Sequence, residues 1–288
     1  MKKILILLLL LPFAVYSQEE IPDSLRAWQK GGIATINFSQ VSLTNWSAGG
    51  NSSASGVILF KSFANYKKDK LVWDNSIDLS YGGIKEKSKD FVKSNDKIDL
   101  NSKLGIQAKG NWYYSGFVSF KSQFAAGYND ADTPEIISGF MAPGYLSAGF
   151  GMDYKTEKMS ILIAPVSGKF TFVMDDVLAA KGDFGVDPGK NSRSEFGANV
   201  RFEYKNEILK NVTLETSLDL FSNYLHNPEN IDVDWNVLIN MKINEYLSAN
   251  LVTRLIYDDD VKIEDSEGHS APRVQFMEMF GVGLSLKF

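Results

Sequence analysis

The way this chain ends limits its fold more than any other feature. Even positions from Val274 to Phe288 are apolar except Glu278, and odd positions are polar, charged, methionine or glycine. This period of two is typical of a β-strand with one apolar face. A strand at the very end of a chain must have its backbone groups paired, most simply by an earlier strand that closes the sheet into a ring. Bacterial outer-membrane barrels end in this way, so the ending predicts a closed antiparallel transmembrane β-barrel.

The start of the chain agrees with export. Lys2 and Lys3 precede an unbroken apolar run at residues 4–11, and small residues follow as far as Ser17. This pattern predicts a secretory signal peptide, because the run is shorter than the ~20 residues that a membrane-spanning helix needs. The predicted organisation is a signal peptide at 1–17, a short periplasmic segment at 18–30 and a barrel domain at 31–288. The chain has 0 Cys, which excludes disulfides and thiol chemistry.

The same alternation recurs along the chain and predicts about twelve strands. They are expected at residues 31–39, 53–66, 70–84, 95–109, 111–126, 143–155, 158–173, 193–205, 211–224, 230–243, 246–258 and 272–288. Short connections alternate with mostly longer ones, as in barrels with short periplasmic turns and longer extracellular loops. An even number of strands puts both termini in the periplasm, and the last strand should pair with the strand at 31–39. A soluble β-sandwich is the alternative fold.

Charged residues fall on the polar face of the predicted strands. A basic residue that faces lipid near the midplane costs about 2–4 kcal/mol, so these residues should point into the lumen. The candidate lumen-lining residues are Lys61, Asp78, Lys103, Lys121, Arg201, Asp219, Asp234 and Arg254. Both signs are present, so the lumen is either a narrow polar channel with electrostatic selection or a plug of salt bridges. Twelve strands lie between the ~8 that side chains fill and the ~16–18 that leave a water channel.

Two further sets of residues are candidates for a role. Trp46 lies beside Asn45 and the glycines at 49–50, and it could fold over the mouth of the barrel, where buried packing is favoured over ligand stacking. The apolar residues of the last strand should form the signal that the barrel-assembly machinery reads during biogenesis. This assembly signal consists of Phe280, Leu284, Leu286 and Phe288.

Other chemistries have little support in the sequence. Ser222 lies near His226, but on the last outer turn of the same strand, so a lipid-modifying enzyme is a lesser alternative and no catalytic residue is predicted. Carboxylates cluster in the predicted loops without the spacing of a calcium loop, so no metal or cofactor is expected. The net charge of -5 and the absence of a basic stretch argue against nucleic-acid binding.

Several stretches carry a resemblance to a known family. They are residues 37–50, 65–68, 73–75 and 219–224, followed by the ending 281–284 with Phe288. With these stretches in this order, the chain resembles an outer-membrane β-barrel family of Bacteroidota that is known only as a domain of unknown function. The resemblance implies a barrel in the cell outer membrane and carries no activity.

The sequence therefore predicts an outer-membrane barrel surrounded by lipid that acts as a narrow passive channel for small polar solutes. A non-conducting barrel for envelope structure or partner docking is the alternative, and it has nearly equal support.

Overall fold

The computed structural model describes residues 27–42, 52–86, 90–128, 135–264, 267 and 269–288. The predicted signal peptide and most of the predicted segment 18–30 lie outside the described residues. The first strand begins at Trp28, so the barrel starts three residues earlier than the predicted boundary at residue 31. The physical reason is that Trp28 pairs with Tyr66 of the next strand, and the two rings lie 5.2 Å apart.

The described residues contain sixteen strands and one α-helix. Their bounds are β1 Trp28–Val41, β2 Ser53–Lys68, β3 Leu71–Glu86, β4 Phe91–Lys109, β5 Trp112–Ser122, β6 Gly127–Tyr128, β7 Ile136–Ser138, β8 Gly144–Lys155, β9 Met159–Phe172, α1 Asp176–Lys181, β10 Ser192–Leu209, β11 Val212–Asn223, β12 Ile231–Lys242, β13 Leu247–Tyr257, β14 Lys262–Glu264, β15 Ser270–Pro272 and β16 Gln275–Lys287. Twelve of the strands form one closed barrel in the order β1-β16-β13-β12-β11-β10-β9-β8-β5-β4-β3-β2. The predicted closed twelve-strand barrel is confirmed, and β6–β7 and β14–β15 form two small hairpins in the loops.

The barrel wall has a polar inner face and an apolar outer face. In β5, Ser115, Phe117 and Ser119 are buried, whereas Tyr114 and Val118 on the other face are exposed. Apolar side chains on the outer face have no protein partner to cover them, and a closed ring leaves no unpaired strand edge, which are the conditions that a bilayer imposes. The protein is therefore an outer-membrane β-barrel.

The helices of the described segments are short. None of them is long and apolar enough to cross a membrane.

The ring closes where the last strand meets the first. Ile33 of β1 pairs with Lys287 of β16, and the antiparallel register continues to Asn37 and Gly283. Gly32 and Phe288 extend the seam by exchanging two backbone hydrogen bonds of 2.9 and 3.1 Å. The predicted pairing of the last strand with the first is confirmed.

A disulfide across this seam tests the closed ring. Thr35 and Ser285 are register partners, and their hydroxyl oxygens lie 2.9 Å apart. Directly opposed strand residues have Cα atoms about 4.5–5.5 Å apart, which suits a disulfide. We expect Thr35→Cys with Ser285→Cys to cross-link almost completely on oxidation, giving a band of faster mobility on a non-reducing gel.

The control for this cross-link uses the opposite wall. Ser160 is on β9, which five strands separate from β1 in either direction. Thr35→Cys with Ser160→Cys should therefore stay uncross-linked. An uncross-linked Thr35–Ser285 pair in folded protein would show that the ring is open at this seam.

The loop after β9 is folded over one end of the barrel. The Asp175 side chain accepts hydrogen bonds from the backbone N–H groups of Val177 and Leu178, and Gly182 ends α1 with φ of 77°. Leu178 packs in a buried cluster that includes Val173. Burial raises the pKa of the Asp183 carboxyl in the 3₁₀ turn that follows.

Candidate functional site: the charged lumen

Five charged side chains meet in the middle of the barrel, and we call them the central network. They are Lys121, Arg201, Asp219, Asp234 and Arg254. The Lys121 Nζ lies 2.8 Å from Asp234 Oδ2 and 3.7 Å from Asp219 Oδ2. Lys121 is on β5 and Asp234 is on β12, and the shorter way round the ring between these strands passes through four others. The Lys121–Asp234 pair therefore runs through the lumen from one wall to the other.

Arg201 holds three separate parts of the wall together. Its guanidinium donates to Asp219 at 3.1 and 2.7 Å, to Asn101 at 3.1 Å and to Ser119 at 3.3 Å. It also lies 4.8 Å above the ring of Phe117. Arg201 is only 6% exposed. A planar guanidinium with this many fixed partners forms a rigid element rather than a mobile lining group.

Asp234 is the shared acceptor of the network. Arg254 donates to its two oxygens at 3.1 and 3.0 Å, while Lys121 approaches from the opposite wall. A third carboxylate, Asp99, accepts a hydrogen bond of 2.7 Å from Asn101, which also accepts from Arg201. The cations of the central network are thus matched by nearby carboxylates.

A second pair crosses the lumen beside the central network. The Lys61 Nζ on β2 lies 3.3 Å from Glu215 Oε2 on β11, and four strands again separate the two on the shorter way round. Lys61 is also 3.8 Å from Asp78, which Lys97 contacts at 2.8 Å. The two crossing pairs divide the interior at mid-height.

Further ion pairs lie in the lumen on both sides of the two crossing pairs, towards the short turns and towards the loops. Towards the short turns, Lys103 contacts Asp153 at 2.9 Å and Glu203 at 3.7 Å. Asp153 is 1% exposed and also accepts a hydrogen bond from Ser160 at 2.8 Å. This layer ties β4, β8, β9 and β10 together.

The loop side of the lumen is closed by another cluster. The Lys169 Nζ lies 2.6 Å from Asp232, 2.8 Å from Asp258 and 3.7 Å from Glu195. Arg193 contacts Glu195 at 3.3 Å and donates at 3.0 Å to the backbone oxygen of Gly185, in the loop that carries α1. The folded loop is thereby attached to the lumen charges.

The barrel encloses a cavity at the end that carries the short turns. It has a volume of about 260 Å³, and Asn240, Lys242, Ser248, Ser285 and Lys287 are among its lining residues. These residues lie at the short-turn end of the barrel, and we call the space between them the vestibule.

The structure brings all eight predicted lumen residues into ion pairs inside the barrel. Their proposed part in selecting solutes stays a prediction. Asp153, Lys155 and Lys169 are not among the predicted residues, although each forms an ion pair in the lumen. Strict alternation around Tyr154 could have revealed the first two.

Lys169 was hidden by an irregularity in β9. Leu162 and Ala164 are buried at even positions, whereas Ser167 and Thr171 are buried at odd positions. The register shifts here on both sides of β9, because two residues of β9 oppose one residue of each neighbouring strand. A β-bulge of this kind exchanges the two faces of a strand, so simple parity places Lys169 on the wrong wall.

The remaining predicted candidates are Trp46 and the residues of the assembly signal. Trp46 lies outside the described residues. The predicted assembly residues of β16 are exposed on the outer face: Phe280, Leu284, Leu286 and Phe288. Phe288 stacks on Phe60 with ring centroids 5.9 Å apart. Recognition of this strand by assembly machinery stays a prediction.

The residues considered for catalysis are not arranged as a catalytic pair. Ser222 donates its hydroxyl to the backbone oxygen of Pro228 at 2.6 Å. In the part of the chain that the structure describes, no hydrogen bond joins Ser222 to His226. Within the same residues, no group of three or more histidine, aspartate or glutamate side chains could hold a metal ion.

Comparisons with known sequences agree with part of the resemblance. The model of a family described as "Protein of unknown function (DUF3078)" matches residues 38–128. This match includes the stretches at 65–68 and 73–75, whereas 219–224 and the chain end lie beyond it. No curated protein sequence matches the chain.

Comparisons with solved structures return outer-membrane barrels. An outer membrane channel from Pseudomonas putida F1 is 12% identical, covers 94% of this chain and 100% of its own, and has a TM-score of 0.41. Outer membrane phospholipase A from Escherichia coli is 10% identical, with coverages of 93% and 94% and a TM-score of 0.33. The translocator domain of the autotransporter NalP from Neisseria meningitidis is 10% identical, with coverages of 91% and 89% and a TM-score of 0.33. Similarities this low carry no inference about what this chain binds or does.

Proposed function

We propose that this protein is a non-conducting outer-membrane barrel that serves envelope structure or partner docking and has no catalytic role. The observation that supports the proposal best is the Lys121–Asp234 ion pair, which crosses the lumen between β5 and β12. A solute could pass this level only by displacing Lys121 or the carboxylates that hold it.

The charges that cross the lumen are largely shielded from water: the side chains of Lys121 and Asp234 are 21% and 17% exposed. Removing one partner of a buried ion pair costs about 3–5 kcal/mol, because the other charge is left without compensation. In the lumen, Asp234 holds both Lys121 and Arg254, so its displacement affects two cations together. The neighbouring Lys61–Glu215 pair also crosses the lumen and leaves less open space for a solute beside the central network. The closed arrangement is thus the stable one.

Single-protein conductance in a planar bilayer tests this proposal. We expect the wild-type protein to insert and give no stepwise current. Lys61→Ala combined with Lys121→Ala removes both side chains that cross the lumen, and this double variant should show measurable current steps. Lys181→Ala is the matched control, because Lys181 pairs with Glu135 in the loops. This variant should give no current steps.

Steady stepwise current through the wild-type protein would contradict the closed lumen. Insertion has to be verified separately by the heat-dependent gel mobility of the same samples. A silent double variant would show that the remaining lumen pairs are enough to keep the barrel shut.

A narrow passive channel for small polar solutes is the second candidate. Two observations favour it: the Lys61 side chain in the lumen is 35% exposed, and the vestibule of about 260 Å³ lies at the short-turn end of the barrel. Under this alternative the wild-type protein conducts, and Lys121→Ala changes its ion selectivity.

A further inference from the structure

The short-turn end of the barrel carries a belt of aromatic side chains. Trp28 lies 5.2 Å from Tyr66 and 5.7 Å from Trp73, measured between ring centroids. Farther round the ring, Trp112 and Tyr154 lie 5.2 Å apart. Tryptophan and tyrosine prefer the level where hydrocarbon meets lipid headgroups. The belt therefore marks that level at this end of the barrel.

Lysines stand next to this belt, and we call them the rim lysines. They are Lys30, Lys67, Lys68, Lys70, Lys109, Lys158 and Lys210. Lys67, Lys68 and Lys70 lie around the turn between Tyr66 and Trp73, and the Lys30 Nζ lies 5.9 Å from the Trp28 ring. These positions put their ammonium groups at the depth of lipid headgroups.

The rim lysines have no carboxylate partner in the part of the barrel that the structure describes. All of them are exposed, and among the described residues none forms an ion pair, in contrast to Lys103, Lys121 and Lys169 in the lumen. The carboxylates at this end are fewer: Asp69, Glu157, Glu207 and Glu245. The opposite end is acidic, with Asp175, Asp176 and Asp187 in the loop that carries α1. Although the formal net charge of the chain is -5, the short-turn end of the barrel is therefore basic.

We propose that the rim lysines bind the phosphate groups of anionic phospholipids in the leaflet at the short-turn end. Ammonium groups donate hydrogen bonds to phosphate oxygens, and each basic residue close to an anionic membrane surface strengthens the attraction about five-fold. The lysines come from β1 and from four different turns, so they spread along most of the ring instead of forming one patch. A lipid annulus fits this distribution better than a single protein partner does.

The proposal can be tested with brominated lipids. The full chain, with Trp46→Phe and Trp235→Phe, is folded into vesicles, so that the fluorescence comes from Trp28, Trp73 and Trp112 in the belt. Quenching by brominated phosphatidylglycerol is compared with quenching by brominated phosphatidylcholine. We expect the anionic lipid to be preferred about five-fold at low salt, and the preference to fall as salt is added.

Two variants with four substitutions each distinguish lipid binding by the rim lysines from a general effect of the protein's positive charge. The rim variant carries Lys67→Gln, Lys68→Gln, Lys70→Gln and Lys109→Gln, and its preference should fall well below that of the wild-type protein. The loop-end control carries Lys85→Gln, Lys181→Gln, Lys190→Gln and Lys262→Gln, and it should keep the wild-type preference. If the rim variant fails to fold, Lys109→Gln alone should still lower the preference relative to Lys181→Gln.

Three results would overturn the proposal. One is equal quenching by the two lipids in the wild-type protein, and another is an unchanged preference in the folded rim variant. The third is competition by inorganic phosphate, which would show that the lysines bind free anions instead of a lipid surface. An unchanged signal in millimolar phosphate is the expected result.

Discussion

Asp219→Ala should lower the free energy of unfolding by about 3–5 kcal/mol, the range found when one partner of a buried ion pair is removed. Asp219 accepts two hydrogen bonds from Arg201 and one of 2.5 Å from Asn199. Without it, the Arg201 guanidinium, which is 6% exposed, keeps only the neutral hydrogen-bond partners Asn101 and Ser119. The loss arises from a buried charge left uncompensated and not from lost packing.

Urea unfolding in lipid vesicles, followed by tryptophan fluorescence, measures this effect. Asp90→Ala is the control, because Asp90 is fully exposed and its 3.9 Å pair with Lys85 lies at the surface, so no measurable change is expected. Replacing both partners, Arg201→Met with Asp219→Leu, should recover much of the stability, since no buried charge remains. An Asp219→Ala variant as stable as the wild type would show that the central network does not support the barrel.

Gly151→Ala should destabilise the barrel by about 3 kcal/mol, at the upper end of the usual cost of overpacking. A Cβ atom at Gly151 would lie 1.9 Å from the carbonyl oxygen of Ile163 and 2.6 Å from the Cα of Ala164. Both are backbone atoms of the bulged part of β9, so no side-chain rotation can relieve the clash. The strand would have to move away and give up part of its pairing with β8.

Gly56→Ala is the matched control in another strand. The nearest atom to a Cβ at Gly56 is 3.8 Å away, which is an ordinary contact. The substitution should be neutral or slightly stabilising, because glycine in a strand interior costs conformational entropy. Equal stability of the Gly151→Ala and Gly56→Ala variants, measured by the same urea unfolding, would show that β9 is not bulged against β8.

Much of the barrel could be predicted from the sequence because its signal is local. In a bilayer each strand must present apolar side chains outward. Along residues 231–242, apolar residues such as Val233 and Val237 therefore alternate with polar residues such as Asp232 and Asp234, with little interruption. The alternating strand that includes Phe288 also predicted one long-range contact, because a strand that closes the ring must pair with the first strand. Parity likewise selected Lys121, Arg201 and Asp234 as inward-facing residues.

The alternation of strand faces does not show which of these charged side chains contact one another. Whether Lys121 reaches Asp234, four strands away on the shorter path, depends on the diameter of the ring and on the register of every strand between them. The bulge in β9 likewise depends on its neighbours, and it moves Lys169 to the inner wall against the sequence pattern.

The basic rim also exists only in three dimensions. Its lysines occur one to three at a time in segments spread from Lys30 to Lys210, and no stretch of sequence is strongly basic. The strands, the closed ring and the surrounding membrane could be inferred from the sequence, because alternation and lipid contact act on each strand separately. The ion pairs that cross the lumen and the positive charge at one end became visible only in the folded barrel, because both require the ring to bring distant residues together.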